Sequence, residues 1–284
     1  MSIIPGLKRN RSQKINKHGF KSIKGMNVSS MLKSIKKLII RTAAEAGEGH
    51  IPSALSILDI LWVLYDRVMK IDPKNPADPG RDRFILSKGH ASLGLYAVLI
   101  DKGFIPCAEM ERFGKYDCIL GGHPDRNKVP GVEASTGSLG HGFPMAVGIA
   151  LGLRIQKVNS RVFTLIGDGE SNEGTIWESA LLASHHKLSN LCCIVDHNHS
   201  TDRALDLGDL ASKFSSFGWE SLVINGHDHE EIYQALNRTG NNKPIAVIAE
   251  TVKGYGCAPM ENNPEWHHKS PSKEELDAIL ENLT

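Results

Sequence analysis

Residues 167–174 read GDGESNEG, an aspartate between two glycines with two further acids close behind. The stretch follows the apolar run RVFTLI and precedes TIWESALLASHH, which has helical character. A strand feeding a helix through such a turn puts the turn beyond the carboxyl end of the strand, where open α/β sheets bind ligands. Glycines permit a tight turn and a close backbone approach. Free N–H groups opening a helix attract phosphate oxygens. An aspartate among them would repel phosphate unless a divalent cation lay between the two. Mg²⁺ prefers oxygen ligands and commonly joins one or two protein groups to phosphates. The stretch therefore points to a Mg²⁺–diphosphate site with Asp168 as ligand. Alone, it is also compatible with a plain turn capped by aspartate. The discriminating residue is Asn198, thirty positions later at the end of the next apolar run, LCCIVDHN. Two neighbouring strands that each end in an oxygen ligand can grip one ion from two sides.

The elements that must hold these residues follow from apolar periodicity. Residues 28–46 place Leu32, Ile35, Ile39 and Thr42 at helical spacing, and the pattern stops at Gly47 and Gly49. A second helix is expected over about 53–68, a short strand at RFILS, and helices over 91–102 and 140–157. The segment 114–136 is irregular, rich in glycine and proline. From VFTLIG onward the pattern alternates: TIWESALLASHHK as helix, LCCIVDH as strand, SLVING and PIAVIAETV as strands around the helix EIYQALNR, and SKEELDAILENL as a closing helix. Apolar runs joined by helices imply an α/β fold with a parallel sheet flanked by helices on both faces.

Composition narrows the function. Of 284 residues 40% are hydrophobic, and the net charge of +1 gives no bulk attraction to nucleic acid or membrane. No apolar run approaches the length of a membrane span. Five cysteines without a C-x-x-C pair argue against a disulfide framework or a zinc site and fit a reducing cytoplasm. Residues 1–25 carry seven lysines and arginines and no acid. They read as a mobile basic tail, with an arm on a partner subunit or a targeting peptide as alternatives, and residues 26–284 as the ligand-binding domain.

G-D-G followed by an asparagine at the end of the next strand resembles the thiamine-diphosphate motif. Further stretches resemble transketolase: AGEGHIPSALS (46–56), RDRFILSKGHASLGLY (81–96), GGHPD (121–125), STGSLGHG (135–142) and VKGYGCAPMENNPEWHH (252–268). They stand in the family's order and cover most of residues 28–270. The resemblance implies a thiamine-diphosphate-binding fold and a cofactor held through Mg²⁺, or through Ca²⁺ or Mn²⁺ in its place. It implies Asp168 and Asn198 as side-chain metal ligands, Ser200 as a backbone carbonyl ligand, and the Gly169 N–H on the diphosphate. His90 and His267 match the histidines near the diphosphate and the reacting carbon, while His50 and His123 match those facing the donor sugar. Gly137 and Leu139 match positions that contact the cofactor rings. Glu173 and Glu178 match acids near the subunit interface that connect the two cofactor sites. Transfer of a two-carbon ketol unit moves hydroxyl protons near neutral pH, which suits imidazoles.

A complete transketolase also has a pyrimidine-binding domain, which supplies the activating glutamate and the arginines that hold sugar phosphate. Nothing after residue 270 is long enough to be that domain. The chain thus resembles the N-terminal half of a split transketolase, expected to act only with a separate C-terminal subunit in an α₂β₂ assembly. Its substrates would be sugars or sugar phosphates, in pentose phosphate metabolism or a specialised pathway. Two alternatives stand beside this: the alpha-type subunit of another thiamine-diphosphate enzyme, such as a 2-oxoacid dehydrogenase, and a non-catalytic paralogue. The remaining histidines have simpler readings. His185 and His186 end a helix, and His18, His227 and His229 read as surface loop residues. His197 and His199 flank Asn198, His141 reads as structural, and His268 as a bystander of His267. Cys192 and Cys193 are expected in the core.

Overall fold

The computed structural model describes residues 27–202 and 204–284. The basic segment 1–25, with His18, lies outside the described residues. The first helix, α1 (Val28–Ala46), starts where the Asn27 side chain accepts the Ser30 N–H at 2.9 Å and stops at Gly47, whose φ of 72° suits glycine. Leu32, Ile35, Ile39 and Thr42 are all buried, as their spacing requires.

The helix expected over about 53–68 is broken. It consists of α2 (Ile51–Ser56), α3 (Leu58–Val63) and a wide final turn at Leu64–Val68. The break at Ile57 leaves Ser56 Oγ free to donate to Asp196 Oδ1 at 2.6 Å. Then come β1 (Arg83–Leu86), α4 (Ser92–Asp101), α5 (Gly142–Ile155), β2 (Val162–Gly167), α6 (Gly174–His185) and β3 (Leu191–His197). The chain continues through α7 (Leu210–Ser216), β4 (Glu220–Asn225), α8 (His229–Leu236), β5 (Ile245–Glu250) and α9 (Lys273–Asn282). The short α7, capped by Asp209, is absent from the sequence expectation.

The strands form one parallel sheet in the order β1-β2-β3-β5-β4. One face packs Phe84, Phe163, Ile194 and Val247 into a core shared with α1–α4, α8 and α9. The other packs Ile85, Ile166, Val195 and Ile248 against residues of α5, α6 and α7. Cys192 and Cys193 are buried in β3. Coverage is incomplete at the sheet edge, where Val223 of β4 is 59% exposed. The order puts the ends of β2, β3 and β5 side by side, where the motif residues gather.

Candidate active site

Gly167 of β2 pairs with Asp196 of β3, so Asp168 and Asn198 emerge from adjacent strand ends. The buried Asp168 carboxylate accepts the Gly169 N–H at 2.7 Å, the Ser200 N–H at 2.9 Å and the Ser200 hydroxyl at 3.3 Å. Asn198 is oriented by Asp196. Its Nδ2 donates to Asp196 Oδ2 at 2.8 Å, and its Oδ1 accepts the same Ser200 N–H at 3.1 Å. One carboxylate and one amide oxygen therefore converge on the Ser200 backbone. Such a hard, all-oxygen donor set fits Mg²⁺. The Gly169 N–H, expected to face a diphosphate, is engaged by the carboxylate of Asp168.

The group that orients Asn198 carries no local sequence signal. Asp196 is fully buried and forms an ion pair with buried Lys88 of the SKGH stretch. Its Oδ1 also accepts from Ser56 Oγ and from Thr251 Oγ1 at 2.5 Å. Burial pushes its carboxyl up, but Lys88 and the hydroxyl donors outweigh that and hold it below the ordinary range. A second cation, Lys253, is also buried. Burial, and then Lys88, lower its pKa, while Asp168 and Asp196 oppose the shift. Lys253 Nζ stands 3.0 Å from His267 Nδ1. Both line a cavity of about 290 Å³ together with Asn198, His199, Ser200 and the turn at Asn262–Pro264.

Glu170, the first acid after GDG, is a second bracing carboxylate. It is buried and accepts from Ser87 Oγ at 2.5 Å, Gly140 N–H at 2.9 Å and Gly167 N–H at 3.3 Å. Burial raises its carboxyl pKa. It braces the SKGH, TGSLG and GDG turns against one another. No local signal marks it, because Ser87 is 83 residues away.

Beside this charged end stand the histidines. The His50 ring lies 5.1 Å from that of His90 and 5.4 Å from that of His267. His268 belongs to the group as well, only 4.6 Å from His50, so it is more than a bystander of His267. Burial, and then His268, His267, His123 and Lys253, push His50 down to about 4. Burial and Lys88 push His90 down to about 2. His267 is lowered by burial and Lys253. All three rings are neutral near pH 7, so each offers one hydrogen-bond donor and one acceptor. His123 is exposed on its loop and packs by Gly137, where a Cβ would fall 2.9 Å from its ring. Leu139 offers its carbonyl to His141 Nδ1 at 2.9 Å.

Glu173 and Glu178 lie apart from the cavity lining, exposed before and on α6. His197 and His199 flank Asn198 as expected, and both bond Glu250. The reading of His227 and His229 as surface loop residues needs correcting. His227 is almost buried, His229 opens α8, and both hydrogen-bond buried Asp59, at 2.9 and 2.8 Å. Asp59 is 168 residues from His227, so local sequence could not reveal the pairing.

Residues 28–283 match the family model described as transketolase, thiamine diphosphate binding domain. The chain belongs to the transketolase family. It is 36% identical over 257 residues to an apulose-4-phosphate transketolase subunit of Phocaeicola vulgatus, covering 88% of this chain and 91% of that one. To the 6-deoxy-6-sulfo-D-fructose transketolase subunit SqwG of a Clostridium species it is 37% identical, covering 88% and 93%. Among solved structures, the transketolase of Campylobacter jejuni superposes with a TM-score of 0.80 at 30% identity, covering 90% of this chain but 43% of that one. This transketolase-family chain thus spans nearly the whole of the subunit-type relatives and less than half of that longer enzyme. It is the N-terminal, cofactor-domain type of subunit.

Proposed function

We propose that this chain binds thiamine diphosphate through Mg²⁺ and, with a separate C-terminal subunit, transfers a two-carbon ketol unit from a ketose or its phosphate to an aldose. The observation that carries the reading is the convergence of Asp168 and Asn198 oxygens at Ser200, next to Lys253 and the imidazole group. Asp168, Asn198 and the Ser200 carbonyl would hold the ion. When bound, thiamine diphosphate supplies the electron sink for the two-carbon carbanion. The chain's own residues have three tasks. Asp196 fixes the rotamer sense of Asn198. Lys253 brings positive charge to a site for a polyanion, while Lys88 neutralises Asp196 behind it. The neutral rings of His50, His90 and His267, with His123 and His268, offer ring nitrogens that hold sugar hydroxyls and exchange their protons.

The names of the relatives support sugar phosphates and sulfo-sugars as the donor class. Both relatives are named as subunits of a transketolase, which supports a partner chain. A surface for it is offered by α5 and α6, which pack together and leave Ile155 72% and Leu181 60% exposed, with Met145, Leu182, Glu173 and Glu178. An α₂β₂ assembly would place Glu173 and Glu178 at that contact. Among the described residues no helix is long and apolar enough to cross a membrane. Cys118, Cys192, Cys193 and Cys257 are free thiols, which fits a cytoplasmic enzyme.

The test is co-expression with a candidate pyrimidine-domain subunit, then a ketol-transfer assay over several ketose phosphates with thiamine diphosphate and Mg²⁺. Transfer from at least one donor is expected. Oxidative decarboxylation of 2-oxoacids in its place would overturn the proposal. In the same complex, Asp168→Ala should weaken Mg²⁺-dependent cofactor binding by about 100-fold or more, since even residues behind the ligands are worth roughly 10–100-fold. Calorimetric titration reads this directly, and unchanged affinity would remove Asp168 from the ligand set.

A further inference from the structure

A second group of metal-ligating side chains sits where β3 and β5 end. His197 and Glu250 are paired in register across the two strands. His197 Nδ1 lies 2.7 Å from Glu250 Oε1, and His199 Nε2 lies 2.9 Å from Glu250 Oε2. The other nitrogen of His199, Nδ1, lies 2.9 Å from Asp202 Oδ2. The two rings stand 4.2 Å apart. One ligand atom each from His197, His199 and Asp202 lies within 4.8 Å of the other two. Among the described residues no other trio of His, Cys, Asp or Glu is gathered this closely, the four imidazoles of the active site included.

The geometry points to a second cation site formed by His197, His199 and Asp202, selective for a Zn²⁺-class ion over Mg²⁺. Two imidazoles and a carboxylate are the donor set of borderline ions, which take three protein ligands and leave a fourth position to water. The oxygens of Asp168, Asn198 and Ser200 suit a hard ion instead, so the two neighbouring sites differ in chemistry. Glu250 supplies the usual support behind metal-bound histidines, a carboxylate accepting the other ring N–H, and it serves both rings with one oxygen each. The ion would replace the proton shared between His199 Nδ1 and Asp202. His199 and Asp202 are exposed, which gives an ion access and leaves room for the water. The inference stands on these side chains and does not depend on the ketol-transfer reading.

The experiment is equilibrium dialysis of the full chain against ZnCl₂ in excess Mg²⁺, with elemental analysis, and anomalous diffraction at the zinc edge to place the ion. A single Zn²⁺ per chain at His199 is expected. His199→Ala and Asp202→Asn should each weaken uptake at least about tenfold, and Glu250→Gln by about tenfold. His268→Ala, in the other histidine group, should leave uptake intact. The inference fails if wild type takes up no stoichiometric Zn²⁺, or if Mg²⁺ displaces it. It fails equally if His199→Ala and Asp202→Asn both retain it, or if the anomalous peak falls among His50, His90, His267 and His268. Should the variants not fold, the wild-type anomalous peak decides alone.

Discussion

At the Asp168 end of the site, the buried carboxylates of Asp168 and Asp196 are fully hydrogen-bonded, by groups from the turns beyond the strands and from the end of α2. At the His50 end, imidazoles stand half-open on loops and carry no balancing charge. Asp196 has four donors around its two oxygens, from Lys88, Ser56, Thr251 and Asn198. His123, His267 and His268 are exposed. The contrast separates two kinds of preorganisation. The Asp168 end is ordered within this chain, because a parallel sheet sets its oxygens in register. The histidine end is only one wall, and the rings of His50, His90 and His267 stay neutral because burial and the neighbouring lysines and imidazoles penalise a charge on them.

The largest expected effect tests the Asp168 end. Asp196→Leu would leave Lys88 buried without a counterion, and breaking a buried pair from one side costs about 3–5 kcal/mol. The double variant Lys88→Met with Asp196→Leu should recover most of that, short of what Ser56, Thr251 and Asn198 lose as their acceptor disappears. Urea unfolding of the three proteins measures it. A single-variant loss below about 1 kcal/mol would place the pair among solvated ones and remove the contrast.

Acid titration should then separate the two ends by pH. His50 and His90 have folded pKa values of about 4 and about 2, below the ordinary 6.5. Between 6.5 and the folded value, the unfolded chain binds protons that the folded chain refuses, so stability rises with pH there. Their contribution is complete above pH 6.5 and is lost as pH falls toward 4 for His50, and further down for His90. Asp196 is held below its ordinary 3.8, so its contribution persists above that pH and disappears only beneath it. Urea midpoints measured from pH 7 to pH 4 should fall in wild type and flatten in the double variant His50→Asn with His90→Asn. An unchanged slope would mean that those rings already bind protons in the folded state.

Residues differ in how far sequence alone reveals them, for a physical reason. Asp168 and Asn198 are readable because each ends an apolar run, and consecutive strands in such a pattern tend to be neighbours. The residues that make the pair work are not readable. Lys88 reaches Asp196 across 108 positions, and Glu170 meets Ser87 across 83. Nothing local distinguishes a buried, fully bonded Glu170 from a solvated one. His50, His90, His123 and His267 are singled out only by resemblance of whole motifs. His268 joined them because the loop folds back, which no periodicity encodes. The same blindness put His227 and His229 on the surface when Asp59 draws them inward. It also missed α7, too short for a periodic signal, and gave β4 two covered faces although it forms the sheet edge.

The smallest effect gives the finest comparison, because two glycines touch across the boundary between the ends. A Cβ on Gly89 would fall 2.7 Å from the Thr136 carbonyl carbon and 2.8 Å from the Gly137 nitrogen, both backbone. Neither atom can yield without moving the SKGH and TGSLG turns that Glu170 braces, so Gly89→Ala should cost about 1–3 kcal/mol. A Cβ on Gly137 would instead meet His123 Cδ2 at 2.9 Å. That ring is exposed on a loop and can swing aside, so Gly137→Ala should stay within about 0.5 kcal/mol of wild type. On the proposed ketol-transfer reading its consequence should appear as a raised donor KM, since the His123 ring would be displaced. Urea midpoints compare the two variants directly. Equal destabilisation would mean that the histidine wall is as rigid as the Asp168 end, and that a partner chain has little left to organise there.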